Sequence, residues 1–424
     1  MKQVLRNMVN YTSDLSGICS ALYELGGLIV MHDASGCNST YATHDEPRWY
    51  DTHSLIYISA LEEYDAVLGN DDKLIHDVIE CALDQHPKFI ALFGSPIALM
   101  TGTDFRGIAH LIEEETGIPT FGFKTSGMRS YISGARQAFA AIADRFCPAP
   151  ADAAVPASSP AAPIKVNLLG VTPLDFSVVG NVEALHQFLA DHGFEEVSCW
   201  AMGSTLEDLM RAGEADVNLV VSSSALDAAK ILEQKYGTPY VAGVPIGSAG
   251  ADAVAAALRA AALPASRPAS RILHATGERP ARSWTELFAR TEARPDLVLV
   301  GEAASAASLR FALEQQFAAR SSAGAPLPDI RVICPVEEPM GVLRSTDLLS
   351  DEEEDMAPLL RGSKAVLADP LYERVLRKPG ASEAESPKLI RFPDEAFSGR
   401  MFRTEIPVFI GPAFDTWLDE HGIG

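Results

Sequence analysis

Short apolar runs alternate with helical patterns along the whole chain, and this alternation most restricts the possible fold. The strand candidates are GLIVMHD, KFIALFGS, IPTFGF, KVNLLGV, VNLVVSS, PYVAGVP, DLVLVGE, IRVICP, KAVLADP and IPVFIG. Between them, segments such as FRGIAHLIEEETG and LDAAKILEQKYG carry apolar residues at helical spacing. Strands that are apolar throughout are typical of parallel sheets covered by helices on both faces. The sequence therefore predicts an α/β fold.

Two breaks divide this pattern into three parts. Residues 148–163, PAPADAAVPASSPAAP, hold five prolines and seven alanines and predict an extended linker. A weaker break follows at LPASRPAS. We expect a first α/β domain over residues 1–147, a second over 164–262 and a third over 268–424, each Rossmann-like with a mainly parallel sheet flanked by helices.

A helix-to-strand junction recurs in the three parts. It reads TGIP at 116–119, YGTP at 236–239 and TEIP at 404–407. In the first two copies, glycine ends a helix in the left-handed conformation and proline prevents its continuation. In folds of this kind ligands bind beyond the carboxyl ends of the strands. Residues 32–37, 94–96 and 124–127 are predicted to lie at that edge of the first sheet.

Composition and charge exclude several classes of function. The chain has 424 residues, of which 47% are apolar and 21% charged, and such a balance is that of a globular protein. Its formal net charge of −23 makes nucleic acids and anionic membrane surfaces poor partners. The start, MKQVLRNMVNYTSD, lacks the apolar core of a signal peptide, and no stretch reaches the roughly 20 apolar residues of a membrane span. We expect a cytoplasmic protein.

The six cysteines form no CxxC pair, so no local zinc motif or disulfide framework is written in the sequence. Cys37 follows the first strand in LIVMHDASGC, where Gly36 permits a sharp turn and small neighbours leave room around the sulfur. From the residues alone Cys37 is a free thiol, a metal or cluster ligand, or a nucleophile. The other five are interpreted as structural: Cys19, Cys81, Cys147, Cys199 and Cys334.

Several ordered motifs resemble the nitrogenase component 1 superfamily, which includes the molybdenum-iron protein subunits, their assembly scaffolds and the light-independent protochlorophyllide reductase subunits. The motifs are YTSDLSGICSALYELGGLIVMHDASGC, EYDAVLGNDDKLIHDVIE, FGSPIALMTGTDFRGIA, IPTFGFKTSGMRSYISGARQAF, DFSVVGNVEALHQFLADHGF, ADVNLVVSSSALDAAKILEQKYGTPYVAGVPIG and, more loosely, LIRFPDEAF. They run through most of the chain. The three Rossmann-like domains of that family agree with the division above.

The resemblance implies a reduced set of cluster ligands. A subunit of this family presents up to three cluster cysteines, and only the second is present here, as Cys37. The first position reads Ser13 and the third reads Ser95. The cofactor-binding cysteine of the nitrogenase alpha subunit falls at Ser222, so no iron-molybdenum-type cofactor is expected.

With one thiolate the chain cannot bind a four-iron cluster alone. The resemblance therefore implies an iron-sulfur cluster, 4Fe-4S in type, shared with a sister component 1 subunit or with a second copy of the chain in a homodimer. The nearest carboxylates that could complete the set of cluster ligands are Asp14 and Asp33. Each is alternatively a helix-capping residue or a surface residue. Further candidates beside the cluster loop or in a substrate cleft are His32, Gly36, His44, Thr125 and Ser126, together with Ser13, Ser95 and Ser222.

By resemblance, the chain is a subunit of a nitrogenase-like oxidoreductase that relays electrons from an ATP-dependent iron-sulfur reductase to a substrate that the sequence does not identify. It has no GxxxxGK[ST] phosphate loop, so ATP hydrolysis belongs to that separate partner. Two alternatives stay open. The chain is a scaffold that holds and passes on a precursor cluster, or it is a cluster-free ligand-binding or regulatory relative in which the serines record a lost redox function.

Overall fold

The architecture was established from a computed structural model. The structure describes residues 6–8, 10–34, 36, 41, 45–148, 162–263, 270–291, 294–321, 326–377, 386–399 and 406–423. Two of the candidate residues, Cys37 and His44, lie outside these described ranges.

Fourteen strands in the described ranges form three sheets, and every strand pair is parallel. The first sheet contains β1 (Leu28–His32), β2 (Leu55–Ile58), β3 (Ile90–Gly94) and β4 (Thr120–Gly122) in the order β2-β1-β3-β4. The second contains β5 (Ile164–Leu169), β6 (Phe194–Cys199), β7 (Val217–Val220), β8 (Tyr240–Ala242) and β9 (Arg271–Ile272) in the order β6-β5-β7-β8-β9. The third contains β10 (Leu297–Val300), β11 (Ile330–Cys334), β12 (Leu348–Leu349), β13 (Ala365–Ala368) and β14 (Lys388–Arg391) in the order β12-β11-β10-β13-β14.

Helices cover the sheets. In the described ranges they are α1 (Asp14–Leu22), α2 (Glu63–Leu68), α3 (Asp71–Gln85), α4 (Pro96–Thr101), α5 (Phe105–Thr116), α6 (Tyr131–Arg145), α7 (Pro173–Phe176), α8 (Asn181–Asp191), α9 (Leu206–Met210), α10 (Leu226–Tyr236), α11 (Gly247–Ala262), α12 (Trp284–Arg290), α13 (Ala303–Arg320), α14 (Glu353–Gly362), α15 (Glu373–Leu376) and α16 (Pro412–Glu420). None of these helices combines the length and the apolar character that a membrane span requires. The α/β prediction, with three parallel sheets flanked by helices, is confirmed.

Two copies of the recurrent junction have the conformation that their residues predict, and the third, 404–407, lies partly outside the described residues. Gly117 after α5 and Gly237 after α10 adopt left-handed conformations, with φ of 69° and 74°. The Gly117 amide donates to the carbonyl of Glu113, which satisfies one of the last acceptors of the helix. Both helices therefore stop where the sequence indicates.

The apolar run IPVFIG is a correction to the strand predictions. Residues 406–409 belong to no strand. Ile410 and Gly411 each form only an isolated bridge with Ile246. The reason is a local competitor for the backbone, since the Asn181 side chain donates to the Pro407 carbonyl at 3.1 Å and accepts from the Phe409 amide at 3.0 Å. Pro407 also lacks the amide that a ladder needs.

The segment after this run packs on the helices beside the second and third sheets. The Asp415 carboxylate in α16 accepts from the Ser248 amide at the start of α11 at 2.9 Å and from the Gln316 side chain in α13 at 2.8 Å. The short strand β9, which follows the LPASRPAS break, pairs with β8 at the edge of the second sheet. Helix α16 therefore links α11, which follows the second sheet, to α13 of the third sheet, beside the cavity described below.

Helices α1 and α6 cross in close contact because each carries a glycine at the crossing. A Cβ atom added at Gly17 would lie 2.0 Å from the carbonyl oxygen of Tyr131, and one added at Gly134 would lie 1.8 Å from that of Asp14. Backbone atoms in packed helices cannot give way as flexible side chains do. The crossing therefore depends on glycine at both positions.

We expect Gly134→Ala to lower the free energy of unfolding by about 3 kcal/mol or more, because the added methyl group must push the two backbones apart. Gly362→Ala is the matched control, since a Cβ there meets no atom within 4 Å. Urea unfolding of the two variants measures the difference. Equal stabilities would show that the crossing is not tightly packed.

Candidate functional site

The carboxyl edge of the first sheet gathers several residues that the sequence singles out. His32 ends β1, and its Nδ1 lies 2.8 Å from the Ser59 hydroxyl oxygen. The Ser95 hydroxyl, at the start of α4, donates to the Asp33 carboxylate at 2.6 Å. Burial lowers the pKa of His32, which favours its neutral form. These side chains already have partners within the chain.

Asp14 organises the loop that follows β4. Its carboxylate accepts from the backbone amides of Ser126 and Gly127 at 2.9 and 2.8 Å. Burial nevertheless raises the pKa of Asp14, against the lowering effect of these hydrogen bonds. Ser13 precedes it and forms an antiparallel bridge with Ser130. Asp14 therefore holds the loop that follows β4, while Ser13 occupies the N-cap position of α1.

Thr125 is also engaged in the first sheet, where its hydroxyl donates to the Gly94 carbonyl at 2.5 Å. Gly36 lies in an exposed turn, and a Cβ added there meets nothing within 4 Å. No crowding inside the chain requires glycine at this position. The thiol beyond it, Cys37, falls outside the described residues.

The described residues of this edge do not by themselves fit an iron-sulfur cluster. Iron in such clusters is held mainly by thiolates, and this group of described side chains supplies hydroxyls, carboxylates and one imidazole. Cys19, the described cysteine on α1, is buried in the core, and burial holds the pKa of its thiol well above the usual value. The candidate thiolate, Cys37, lies outside the described residues.

A second site lies where the three sheets meet. The cavity contains about 660 Å³ of space between atoms, counted together with its open mouth. Its lining comes from segments that follow β5, β8, β10 and β14, together with the start of α6. The lining residues are Tyr131, Asp175, Ser177, Ile246, Val300, Gly301, Glu302, Ser305, Ala306, Leu309, Phe392, Pro393, Asp394, Glu395, Ile406 and Phe409.

Asp175, in the short helix α7, faces this cavity. It accepts a hydrogen bond of 2.5 Å from the Tyr131 hydroxyl and one of 3.0 Å from the Thr172 hydroxyl. Burial, reinforced by the nearby charge of Glu302, raises the pKa of Asp175 to about 7. The carboxyl group therefore exchanges a proton close to neutral pH.

Glu302 connects the second and third sheets across the cavity. As the N-cap of α13 it accepts from the Ser305 amide at 3.0 Å, and its other oxygen accepts from the Ser223 amide at 3.1 Å. Burial raises the pKa of Glu302 despite these hydrogen bonds. Glu302 and Asp175, two carboxyl groups whose pKa burial raises, thus share one wall.

Asp394 and Glu395 add two further carboxyl groups to the wall of the cavity. The described lining residues include no lysine, arginine or histidine. The apolar part of the wall, including Phe392 and Phe409, suits a ligand that is partly apolar.

Ser177 marks the cavity by backbone strain. Its φ of 56° and ψ of −172° lie in a region that non-glycine residues rarely adopt. Its side chain is 2% exposed, and its hydroxyl has no hydrogen-bond partner among the described residues. Strain and an unsatisfied polar atom cost stability and are typical of ligand sites.

Among the described sequence candidates, Ser222 is the one that the structure brings beside this cavity. It follows β7, is buried, and lies close enough to Asp175 to lower the pKa of that carboxyl group. Its hydroxyl oxygen also accepts from the Ser224 amide at 3.2 Å. The first-sheet candidates described above lie at a different edge. The segment 126–131 joins the two places, because it runs from the Asp14 contact to the cavity residue Tyr131.

Sequence reasoning missed the carboxyl groups of the cavity. Asp175, Glu302 and Asp394 each follow a predicted strand or motif within a few residues. An acidic residue directly after a buried strand was the available signal, as in DLVLVGE and RFPDE. That these loops converge on one cavity follows only from the arrangement of the three sheets.

This three-sheet architecture, with a polar cavity between the sheets, defines the class of protein. The sequence profile described as "Nitrogenase component 1 type Oxidoreductase" matches residues 25–311. The chain belongs to this family, and the resemblance inferred from its motifs is confirmed.

The chain is similar to curated relatives with different functions. It is 26% identical over 196 residues to the nitrogenase iron-molybdenum cofactor biosynthesis protein NifE of Methanosarcina barkeri, a match that covers 45% of this chain and 42% of the relative. It is 36% identical over 115 residues to one of the subunits of the light-independent protochlorophyllide reductase of Rubrivivax gelatinosus, covering 27% and 21%. It is 28% identical over 191 residues to the nitrogenase molybdenum-iron protein alpha chain of Azospirillum brasilense, covering 44% and 38%. The matched segments thus span less than half of each relative.

The fold extends further than these sequence matches. The solved structure described as "Nitrogenase Cp1 at pH 6.5" superposes with a TM-score of 0.65 over 100% of this chain and 94% of that chain, at 15% identity. This similarity supports the fold.

Proposed function

We propose that the chain is a cytoplasmic subunit of a nitrogenase-like oxidoreductase of the component 1 type. It passes electrons from an ATP-dependent iron-sulfur reductase, through an iron-sulfur cluster at a subunit interface, to a substrate in the cavity between the three sheets. The observation that supports this proposal is the carboxyl group of Asp175 in the cavity, since its pKa of about 7 gives a chain of this family a proton-exchanging group suited to reductive chemistry. The sister subunit and the reductase are the proposed partners.

The shared cluster, proposed as 4Fe-4S, would be held by Cys37 and by thiolates of the sister subunit. When bound, the cluster supplies one-electron transfer at a potential set by its ligands and surroundings. Asp14, Ser95 and Asp33 would then act as the frame of the loop rather than as ligands, because their polar atoms are occupied within the chain. Ser13 and His32 belong to the same frame.

The residues of the cavity would manage protons during the reduction. Asp175 holds a proton in part of the molecules at neutral pH and lies within hydrogen-bond reach of Tyr131. A carboxyl group with such a pKa is suited to donate a proton to a bound substrate and to regain it from solvent. Glu302 fixes the geometry of this wall by capping α13 and binding the Ser223 amide.

The cavity also supports the expectation that no iron-molybdenum-type cofactor binds. Ser222 offers a hydroxyl where a thiolate is needed, and that hydroxyl is already hydrogen-bonded to its neighbours.

A scaffold function is the second candidate. It is favoured by the similarity to NifE, whose name describes cofactor biosynthesis. A scaffold would hold a precursor cluster and release it without turnover. The cluster-free ligand-binding or regulatory function is the third, and it differs from both in requiring no iron.

Anaerobic co-purification with the sister component 1 subunit tests the proposal. We expect the complex to contain iron and to give a low-temperature electron paramagnetic resonance signal when reduced. Cys37→Ser should lower the iron content per complex by at least half or convert the signal, because one cluster ligand is lost. Cys81→Ser is the matched control on α3 and should leave iron and signal unchanged. Identical spectra for Cys37→Ser and the parent complex would remove Cys37 from the site.

A further inference from the structure

A mixed group of metal-binding side chains lies on the outer strand of the second sheet, away from both sites described above. His186 on α8, Glu196 on β6 and Cys199 at the end of β6 place their ligand atoms within 4.8 Å of one another. His186 Nδ1 lies 2.5 Å from Glu196 Oε2. The group thus offers one nitrogen, one oxygen and one sulfur donor to a common point.

An irregularity in β6 accounts for this convergence. In a regular strand, residues 196 and 199 face opposite sides of the sheet, because side chains alternate. Here the pairing of β5 with β6 shifts register, since Val166 pairs with Glu196 while the next residue, Asn167, pairs with Ser198. The extra residue is a β-bulge, and bulges redirect side chains at functional sites. It brings the carboxylate and the thiol to the same side, beneath His186.

One side chain of the group is buried in the fold, and the other two are partly exposed to solvent. The Cys199 side chain is fully buried, whereas the side chains of His186 and Glu196 are 39% and 26% exposed. The Ser204 hydroxyl accepts from the Cys199 amide at 2.8 Å and fixes the turn after β6. An ion can therefore enter from the histidine side and reach a sulfur held in place by the fold.

We propose that His186, Glu196 and Cys199 form a Zn²⁺ site with a fourth position open to water. Zn²⁺ accepts nitrogen, oxygen and sulfur ligands at about 2.0–2.3 Å in tetrahedral geometry, which requires ligand atoms about 3.2–3.7 Å apart. The His186 and Glu196 atoms need to separate by roughly 1 Å, and the thiol needs a similar approach. Two partly exposed side chains can make that adjustment.

The charges balance at this site. Binding replaces the proton shared by His186 and Glu196 and the proton of the Cys199 thiol, and both protons pass to solvent. One divalent cation then faces one carboxylate and one thiolate, with neutral imidazole as the third ligand. In the metal-free chain, the hydrogen bond that His186 donates to the Glu196 carboxylate raises the pKa of His186, and burial raises that of Cys199 well above its usual value.

A metal ion at this site would strengthen the contact between the residues around the first sheet and the turn that follows β6 in the second sheet. The turn after β6 receives Arg48, whose guanidinium donates to the Ala201 carbonyl at 2.9 Å. The Gly203 amide of the same turn donates to Glu24 at 2.9 Å. A cation that joins α8 to the end of β6 would therefore stabilise the base of this turn. Cys199 would then be a ligand, in contrast to the structural role expected from the sequence.

Co²⁺ titration of the tag-free chain tests the site, with difference absorption spectra to cancel any other chromophore. We expect a near-ultraviolet thiolate-to-cobalt band that Zn²⁺ abolishes by displacement. Cys199→Ser should remove the band, and His186→Gln should weaken Co²⁺ binding at least tenfold. Cys334→Ser, which removes an equally buried thiol on β11, is the control and should bind as the parent does.

Thermal unfolding gives a second readout if Cys199→Ser does not fold. Zn²⁺ should raise the melting temperature of the parent by a few degrees and that of Glu196→Gln by much less. A parent chain without the band, or a band that survives in Cys199→Ser, would overturn the proposal. Equal thermal shifts in the parent and Glu196→Gln would do the same. Neither assay involves electron transfer, so failure here leaves the proposed function untouched.

Discussion

Asp175→Asn is expected to make the chain more stable at pH 8 while it lowers reductive turnover of the assembled complex about 100-fold. The stability gain should be on the order of 2 kcal/mol, less than the full shift of the pKa to about 7 implies, because Asp175 is only partly buried. Asparagine keeps the shape and an acceptor for Tyr131 but carries no charge.

The sign of the pH dependence follows from proton binding. Between the unfolded pKa of 3.8 and the folded pKa of about 7, the folded chain holds a proton on Asp175 that the unfolded chain releases. Parental stability relative to the variant therefore falls as pH rises through this window and is level above it. Urea unfolding at pH 5 and pH 8 should show a larger difference between parent and variant at pH 8.

Asp208→Asn is a control of opposite sign. Hydrogen bonds from Thr205 hold the pKa of Asp208 below its usual value, as part of a capping box at the start of α9. Its replacement should destabilise the chain by about 1 kcal/mol near neutral pH. If Asp175→Asn also destabilised the chain at pH 8, the carboxyl group would not be the strained, proton-exchanging group inferred here.

Arg310→Met is expected to cost about 3–5 kcal/mol, the largest stability loss that the described ion pairs predict. Arg310 in α13 donates to Asp347 at 2.6 Å, and both side chains are at most 2% exposed. The other Asp347 oxygen accepts from the Val332 amide in β11 at 2.8 Å. Without Arg310, the buried carboxylate of Asp347 loses its counter-charge. Helix α13, which carries Arg310, also has Glu302 at its N-terminal end.

Arg320→Met provides the matched comparison on the same helix. Arg320 pairs with Asp419, but the two side chains are 38% and 64% exposed. Exposed pairs contribute about 0–1 kcal/mol, so this variant should unfold nearly as the parent does. Calorimetry of both variants measures the contrast, and equal losses would mean that burial of the Arg310 pair has no energetic consequence.

The sequence was sufficient for the central strands because their residues are apolar throughout. Nine of the ten strand candidates correspond to strands of the structure. The edge strand β6, FEEVSC, was missed because an exposed edge tolerates polar residues and a bulge interrupts its alternation. The IPVFIG run failed because Asn181, far away in sequence, takes its backbone groups.

The site was only partly predictable. Strand ends and family motifs in the sequence marked Ser222 and the carboxyl edge of the first sheet as candidates. Asp175 and Glu302 were not marked, because an isolated acidic residue in sequence is usually a solvated one. Their pKa values are raised because both carboxyl groups are buried in the fold, although the two residues lie 127 positions apart in the chain. The metal-binding group on β6 depends on a register shift that no sequence pattern reveals.

The most direct test of the central proposal is freeze-quench electron paramagnetic resonance of the anaerobic complex mixed with its reductase and MgATP. The account predicts a reduced-cluster signal that appears with MgATP, is absent with a non-hydrolysable analogue and is lost in Cys37→Ser. A fully assembled, iron-containing complex that gains no signal under turnover would contradict electron relay and favour the scaffold. An iron-free complex would contradict both.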